Sequence, residues 1–234
     1  MVDELKLTIL LKQSTHHLAI QEHIGNWLHR AQLSDEEFKA SHYERAFKHI
    51  VFSSLIPIEK DGIYQQGRAY VLTIRSPLRD TLQRLKLCMQ QCREDEHFQL
   101  VTSEIQRPKR MTHITEMLAI TPVIVTVNRK PWLHENSVEQ LLQQLHNNAV
   151  KKLLSLEPET QVEEGNHFIQ GIRVENKKPI GLHYKGRKLL GNKLKLFIND
   201  DPQSQRLAQT VFASGLGEKG SSIGAGFCLA KYLV

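Results

Sequence analysis

Gly215-Leu216-Gly217-Glu218-Lys219-Gly220-Ser221-Ser222-Ile223-Gly224-Ala225-Gly226-Phe227 lies near the end of this 234-residue chain. Five glycines within twelve residues rule out a regular helix or strand, because glycine loses more backbone freedom on ordering than any other residue. Such a run serves positive φ angles, close approach of two backbones, or a phosphate held on backbone N–H groups. Gly215–Gly220 spells G-x-G-x-x-G, but a dinucleotide fingerprint follows a strand, opens a helix and has an acidic residue about 20 positions on. Only fourteen residues follow Gly220, and Phe227–Val234 reads as a strand. No Gly-Lys-Ser/Thr follows for a Walker A loop, and a kinase glycine loop would need a whole catalytic domain downstream. The bland reading is a tight connection between a helix and a final strand.

Ahead of the run, periodicity marks out two similar halves. Leu5, Leu7, Ile9 and Leu11 alternate with polar residues as a half-buried strand. Leu18, Ile20, Ile24, Trp27, Leu28 and Ala31 follow helical spacing, and Ser34-Asp35-Glu36-Glu37 is a capping box opening a short helix that ends near Ser41. Strands follow around His49–Ser53 and over Ala69–Arg75, then a helix from Pro77 through Leu82, Leu85 and Met89, then a strand over Phe98–Ile105. The order β-α-β-β-α-β is that of a ferredoxin-like fold. In the second half, Val123–Val127 reads as a strand, Val138–Leu154 as a long helix, and Phe168–Val174 and Ile180–Tyr184 as strands. Lys188–Ile198 extends that sheet as a strand or hairpin arm, and Asp201-Pro202 opens a helix leading into the glycine run. The expected architecture is α+β, two ferredoxin-like domains in tandem, residues 1–115 and 116–234.

Composition narrows the partners. No apolar stretch approaches the ~20 residues of a membrane span, and the N-terminus has no signal-peptide pattern. Three cysteines argue against a disulfide framework, so a reducing cytoplasm is the expected home. The net charge is +6, and it is unevenly spread. Between Gly171 and Lys195 eight basic residues (Arg173, Lys177, Lys178, Lys185, Arg187, Lys188, Lys193, Lys195) stand against one acid, Glu175. Such clustering near strands suggests a polyanion, since neutralised phosphates release counterions. The shorter run Arg107-Pro108-Lys109-Arg110 is more simply a solvated surface. His16 and His17 are adjacent, and other histidine pairs lack the i, i+4 spacing of ligands on one helix face. Cys88 and Cys92 fall in an apolar helix and read as core, so neither metal nor cofactor is expected.

The glycine run resembles the C-terminal glycine signature of the CRISPR repeat-cleaving endoribonucleases, the sixth numbered family of CRISPR-associated proteins within the RAMP superfamily. Two further stretches are similar to that family. Thr121-Pro122-Val123-Ile124-Val125-Thr126-Val127-Asn128-Arg129-Lys130 resembles the first strand of its second domain. Phe38-Lys39-Ala40-Ser41-His42-Tyr43-Glu44, followed by Lys48-His49-Ile50-Val51-Phe52-Ser53, resembles its segment with a catalytic histidine and a lysine six positions on.

The resemblance implies metal-independent cutting of CRISPR repeat RNA, in which a ribose 2′-hydroxyl attacks the adjacent phosphate to leave a 2′,3′-cyclic phosphate and a 5′-hydroxyl. A base, an acid and a cation are needed, and an imidazole and an ammonium suit those roles. On the family's pattern His42 is the proton-transfer residue and Lys48 the phosphate clamp. A tyrosine that assists in several relatives is replaced here by Gly25, which leaves His23 and Tyr43 as weaker substitutes. Lys185, Arg187 and Lys188 around Gly186, with the loop residues Gly215, Gly217, Lys219, Gly220 and Gly224, are the implied RNA-binding set. The implied partners are CRISPR repeat RNA, as precursor and product, and CRISPR effector-complex proteins, with a homodimer left open and no membrane. The rival within the superfamily is a non-cleaving RNA-binding subunit of an effector complex.

Overall fold

The alternation of Leu5, Leu7, Ile9 and Leu11 becomes the central strand of the first unit, its four leucine and isoleucine side chains fully buried. The computed structural model describes residues 2–42, 44, 46–107, 113–163, 165 and 167–233. The first unit runs β1 (Asp3–Leu11), β2 (Thr15–His16), α1 (His17–Gln32), α2 (Glu36–His42), β3 (Val51–Phe52), β4 (Ile63–Tyr64), β5 (Ala69–Ser76), α3 (Arg79–Gln91) and β6 (Phe98–Gln106). Its antiparallel sheet has the order β3-β5-β1-β6. Ile20, Ile24, Trp27 and Leu28 of α1 and Leu82, Leu85 and Met89 of α3 pack on one face of it. The Trp27 indole N–H donates to the Cys92 carbonyl at the end of α3, 3.2 Å, tying the two helices together. Asp35, rather than Ser34, caps α2: its Oδ1 accepts from the Glu37 and Phe38 amides, each at 3.0 Å.

The second unit runs β7 (Ile114–Ala119), β8 (Thr126–Val127), β9 (Lys130–Pro131), α4 (Val138–Leu156), β10 (Ile169–Val174), β11 (Ile180–Tyr184), β12 (Arg187–Gly191), β13 (Leu194–Ile198), α5 (Pro202–Ser214), α6 (Gly220–Ile223) and β14 (Cys228–Tyr232). The sheet order β10-β13-β7-β14 repeats that of the first unit, so both are ferredoxin-like and the α+β tandem expectation holds. Two element expectations are corrected. The first strand of this unit is β7, not Val123–Val127. In the latter segment Val123 and Ile124 are pinned by single bridges, to Asn192 and Glu218, and Thr126–Val127 form the first arm of the β8–β9 hairpin. Lys188–Ile198 is two strands: β12 returns on β11 as a separate hairpin, and only β13 enters the main sheet. Among the described residues no helix is long and apolar enough to cross a membrane.

The units meet through a cation. Arg75 on β5 points out of the first core yet is 4% exposed. Its guanidinium lies 3.9 Å from the Phe212 ring centroid and 4.1 Å from that of Phe227, donates to the Cys228 carbonyl at 2.6 Å and pairs with Glu4 at 2.8 Å. Buried charge is tolerated where pairing, hydrogen bonding and aromatic faces replace water together.

Candidate active site

The glycine run forms one wall of a cleft between the units, and its glycines serve packing of backbone on backbone. Gly25 on α1 is buried against α6, where an added Cβ would collide with the Ser222 carbonyl oxygen. Gly226, at φ +72°, leaves no room for a Cβ beside the backbone of Leu216. The loop amides bond within the protein: Leu216 N–H to Gly226 O at 2.9 Å, Glu218 N–H to Ile124 O at 2.9 Å, and Gly226 N–H to Pro122 O at 3.0 Å. Positive φ and close backbone approach are two purposes this run serves. What the run offers outward is the lip Lys219-Gly220-Ser221-Ser222, with Lys219 exposed at φ +64° and both serines half-buried.

The opposite wall is the chain between α2 and β3. Lys48 lines two adjoining cavities, one of about 180 Å³ with His29, Ser41, Glu44 and Ser221, and one of about 290 Å³ with His49, Lys152 and the glycine lip. The Lys48 ammonium turns back toward the Glu44 carbonyl, 3.4 Å away. His42 is the last residue of α2, whose Glu37, Phe38 and Ser41 line the smaller cavity. The His42 side chain and Tyr43 lie outside the described residues, as do Pro108, Lys109 and Arg110 of the short basic run. His23 lines neither cavity: its ring packs on His97 of the first unit, centroids 3.8 Å apart. Burial, and next His97, hold its pKa below the ordinary histidine value.

Behind the cleft, α4 holds both walls, through residues that the sequence patterns did not single out. Lys152 is 4% exposed. Its ammonium donates to the carbonyl oxygens of Gly215, 2.5 Å, and Gly217, 2.8 Å. Burial pushes its pKa down to about 7, against a weaker pull from Cys228 and Glu218. One helical turn on, the Ser155 hydroxyl donates to the Lys152 carbonyl at 2.8 Å and meets His49 Nε2 at 2.9 Å. The other ring nitrogen, Nδ1, is buried without a hydrogen-bond partner among the described residues. Burial first, then the Lys152 charge, lowers His49 to about 4. Its backbone is left-handed, φ +49°, a strained conformation of the kind that collects at working clefts. The signal for Lys152 was legible: it falls seven residues after Leu145 and three after Ala149, on the apolar face of α4, where a lysine is out of place.

The basic hairpin stands beside the lip. Lys185 and Gly186 form the β11–β12 turn at φ +50° and +71°, and Lys185, Arg187 and Lys188 are exposed. The Lys185 and Lys219 ammonium groups lie 5.5 and 5.7 Å from the Tyr184 ring centroid, so the fold brings these two sequence-selected cations to one aromatic ring. The Lys185 amide donates to Glu22 of α1 at 2.6 Å, which anchors the hairpin on the first unit. Among the described residues no cluster of three or more histidine, cysteine, aspartate or glutamate side chains could hold a metal ion.

The tandem ferredoxin-like fold of this chain is shared, over 98–99% of its length, by proteins of known structure. Particular solved structures match it closely in shape. One described as "CRISPR associated protein Cas6" has TM-score 0.74 at 19% identity, covering 99% of this chain and 100% of its own. One described as "An RAMP protein binding different RNA substrates" has TM-score 0.77 at 16% identity, covering 98% and 99%. A Cas6-related protein from Pyrococcus furiosus has TM-score 0.72 at 16% identity, covering 99% of each chain. No family model and no curated protein matches the sequence.

Proposed function

We propose that this chain is a metal-independent endoribonuclease that cuts CRISPR repeat RNA in precursor transcripts to release guide RNAs. The observation that carries the reading is the smaller cavity, where Lys48, the α2 residues next to His42 and Ser221 of the glycine lip meet. The ribose 2′-hydroxyl attacks the neighbouring phosphorus, the P–O5′ bond breaks, and the products are a 2′,3′-cyclic phosphate and a 5′-hydroxyl. His42 moves a proton in this step, and the Lys48 ammonium stabilises the charge that grows on the phosphorane oxygens. Lys185, Arg187, Lys188 and Lys219 grip the RNA backbone, and since an A-form stem is read through shape and phosphates, base discrimination falls on unpaired nucleotides. Gly215, Gly217, Gly220 and Gly224 of the glycine loop belong to the same RNA-binding surface. Such a protein works in the cytoplasm beside other CRISPR proteins, and one similar structure is described as a partial Cas6-RT-Cas1–Cas2 complex.

Incubation with stem-loop repeat RNAs in EDTA, followed by analysis of the product ends, tests the reading. Cyclic phosphate ends are expected, and a 2′-deoxy nucleotide before the cut should abolish cleavage while leaving binding intact. A divalent-ion requirement or 3′-hydroxyl products would overturn the mechanism. The second reading, an RNA-binding RAMP subunit without cleavage, is favoured by the likeness to a RAMP protein described by its RNA binding. Tight RNA binding with intact substrate would select it.

A further inference from the structure

α4 carries two stripes. Leu141, Leu145, Ala149 and Leu153 are buried, while Gln144, Asn148, Lys151 and Ser155 recur at helical spacing as a polar row. Gln144, Asn148 and Lys151 line a cavity of about 240 Å³ together with Phe47, Ile124 and Gly217. This cavity adjoins the larger cleft cavity, because Phe47, Asn148, Gly217 and Glu218 line both. Two of its features serve no packing need. Asn148 Oδ1 is buried without a hydrogen-bond partner among the described residues, a costly state for an acceptor unless a ligand donates to it. Phe47 is 38% exposed, an aromatic ring left open in a cleft wall. Glu218, the acid among the lining residues, is already committed: its carboxylate accepts from the Thr126 amide at 2.9 Å and hydroxyl at 3.0 Å.

We propose that this cavity is a base pocket, which takes one unpaired nucleobase of the RNA held in the cleft. The inference rests on the RNA-binding part of the reading above, and it holds for a cleaving or a non-cleaving protein. Phe47 stacks on the base, Asn148 bonds its edge, and the exposed Lys151 meets the adjoining phosphate. The orphaned group selects a base over a bare phosphate. A phosphate dianion offers acceptors alone, which Oδ1 cannot pair with, whereas each of the four bases presents an N–H donor on its edge. The carboxamide has a donor beside its acceptor, so it matches an edge that shows both side by side and sets which base enters.

Equilibrium binding of stem-loop repeat RNA by the full chain tests this, with an abasic nucleotide, and then each of the four bases, at successive unpaired positions. For wild type one position should stand out, its abasic form binding about 5–150-fold more weakly, the usual worth of a stacked base. Phe47→Ala should remove most of that loss, because the ring under the base is gone. Asn148→Ala and Asn148→Leu should keep the abasic loss but bind the four bases at this position alike. Asn148→Leu should also melt no lower than wild type, since it removes a buried acceptor that has no protein donor. Abasic losses and base preferences unchanged in all three variants would overturn the pocket, as would a wild type that binds repeat RNA with no sensitive unpaired position. Repeat RNA that fails to bind wild type at all would instead overturn the RNA reading on which the inference rests.

Discussion

Lys152 Nζ, on a helix of the second unit, donates at 2.5 Å to the carbonyl oxygen of Gly215, where α5 gives way to the glycine run. A lysine this deeply buried, with its pKa lowered to about 7, makes the stability of the seam depend on pH. The unfolded chain holds that proton up to about 10.5 and the folded chain releases it near 7, so stability rises with pH across this window. Lys152→Met should abolish that slope. It should also lower stability at pH 9, since two buried carbonyls lose their donor at about 1–3 kcal/mol each. Urea midpoints at pH 6, 7.5 and 9 check both outcomes.

His49 gives the opposite end of the profile. Its folded pKa of about 4 lies below the unfolded 6.5, so its share of stability is intact above 6.5 and is lost as pH falls through 4. His49→Asn tolerates a left-handed backbone and cannot titrate in this range. The stability gap between wild type and His49→Asn should narrow between pH 7 and pH 4, as measured by denaturant unfolding. A gap constant with pH would show that His49 is not held neutral.

Gly25→Ala should act on the lip at a distance. The new methyl group meets the Ser222 carbonyl, a backbone atom that yields only if α6 moves. The expected cost is about 1–3 kcal/mol, typical of overpacking, seen as a lower melting temperature together with slower cleavage. A melting temperature equal to wild type would mean that α1 and α6 have room to spare between them.

Replacing Lys185, Arg187 and Lys188 together with alanine should weaken RNA affinity and flatten its salt dependence. Each phosphate deprived of its cation should reduce the log–log slope by about 0.7–0.9. Titrations from low to physiological salt give both quantities, and an unchanged slope would place the RNA on another surface.

His42→Ala should slow single-turnover cleavage by about 10²–10⁴-fold with little change in affinity. Lys48→Ala should also slow it, yet keep the shape of the pH–rate profile, because an ammonium acts here by charge and not by titration. If the Lys48 variant instead loses a limb, Lys48 itself carries a proton.

The strands and helices that face a single core were legible, since period two and period 3.6 state the buried face directly. β7 was not, because it sits between two sheet neighbours with Leu118 exposed and Thr115 and Glu116 half-buried, which blurs its alternation. Val123–Val127 misled for the converse reason. Val123, Ile124 and Val125 are buried outside any sheet, Val123 and Ile124 bridged singly to Asn192 and Glu218, and only Thr126 and Val127 form a strand, β8. Lys48 and the hairpin cations were singled out from sequence, and the fold puts Lys48 in the cleft wall and Lys185 beside Lys219. His49 was passed over as one histidine among twelve, since its partner Ser155 is more than a hundred residues away.

Arg75, clamped between Phe212 and Phe227, removes the usual independence of tandem modules. Its aromatic partners lie more than a hundred residues further along the chain, so the first unit completes its own sheet face only when α5 and β14 are in place. Synthesis therefore delivers the keystone late. A nascent chain lacking β14 leaves the guanidinium with Glu4 alone as its polar partner on an unfinished surface, and the seam closes only after that strand has left the ribosome.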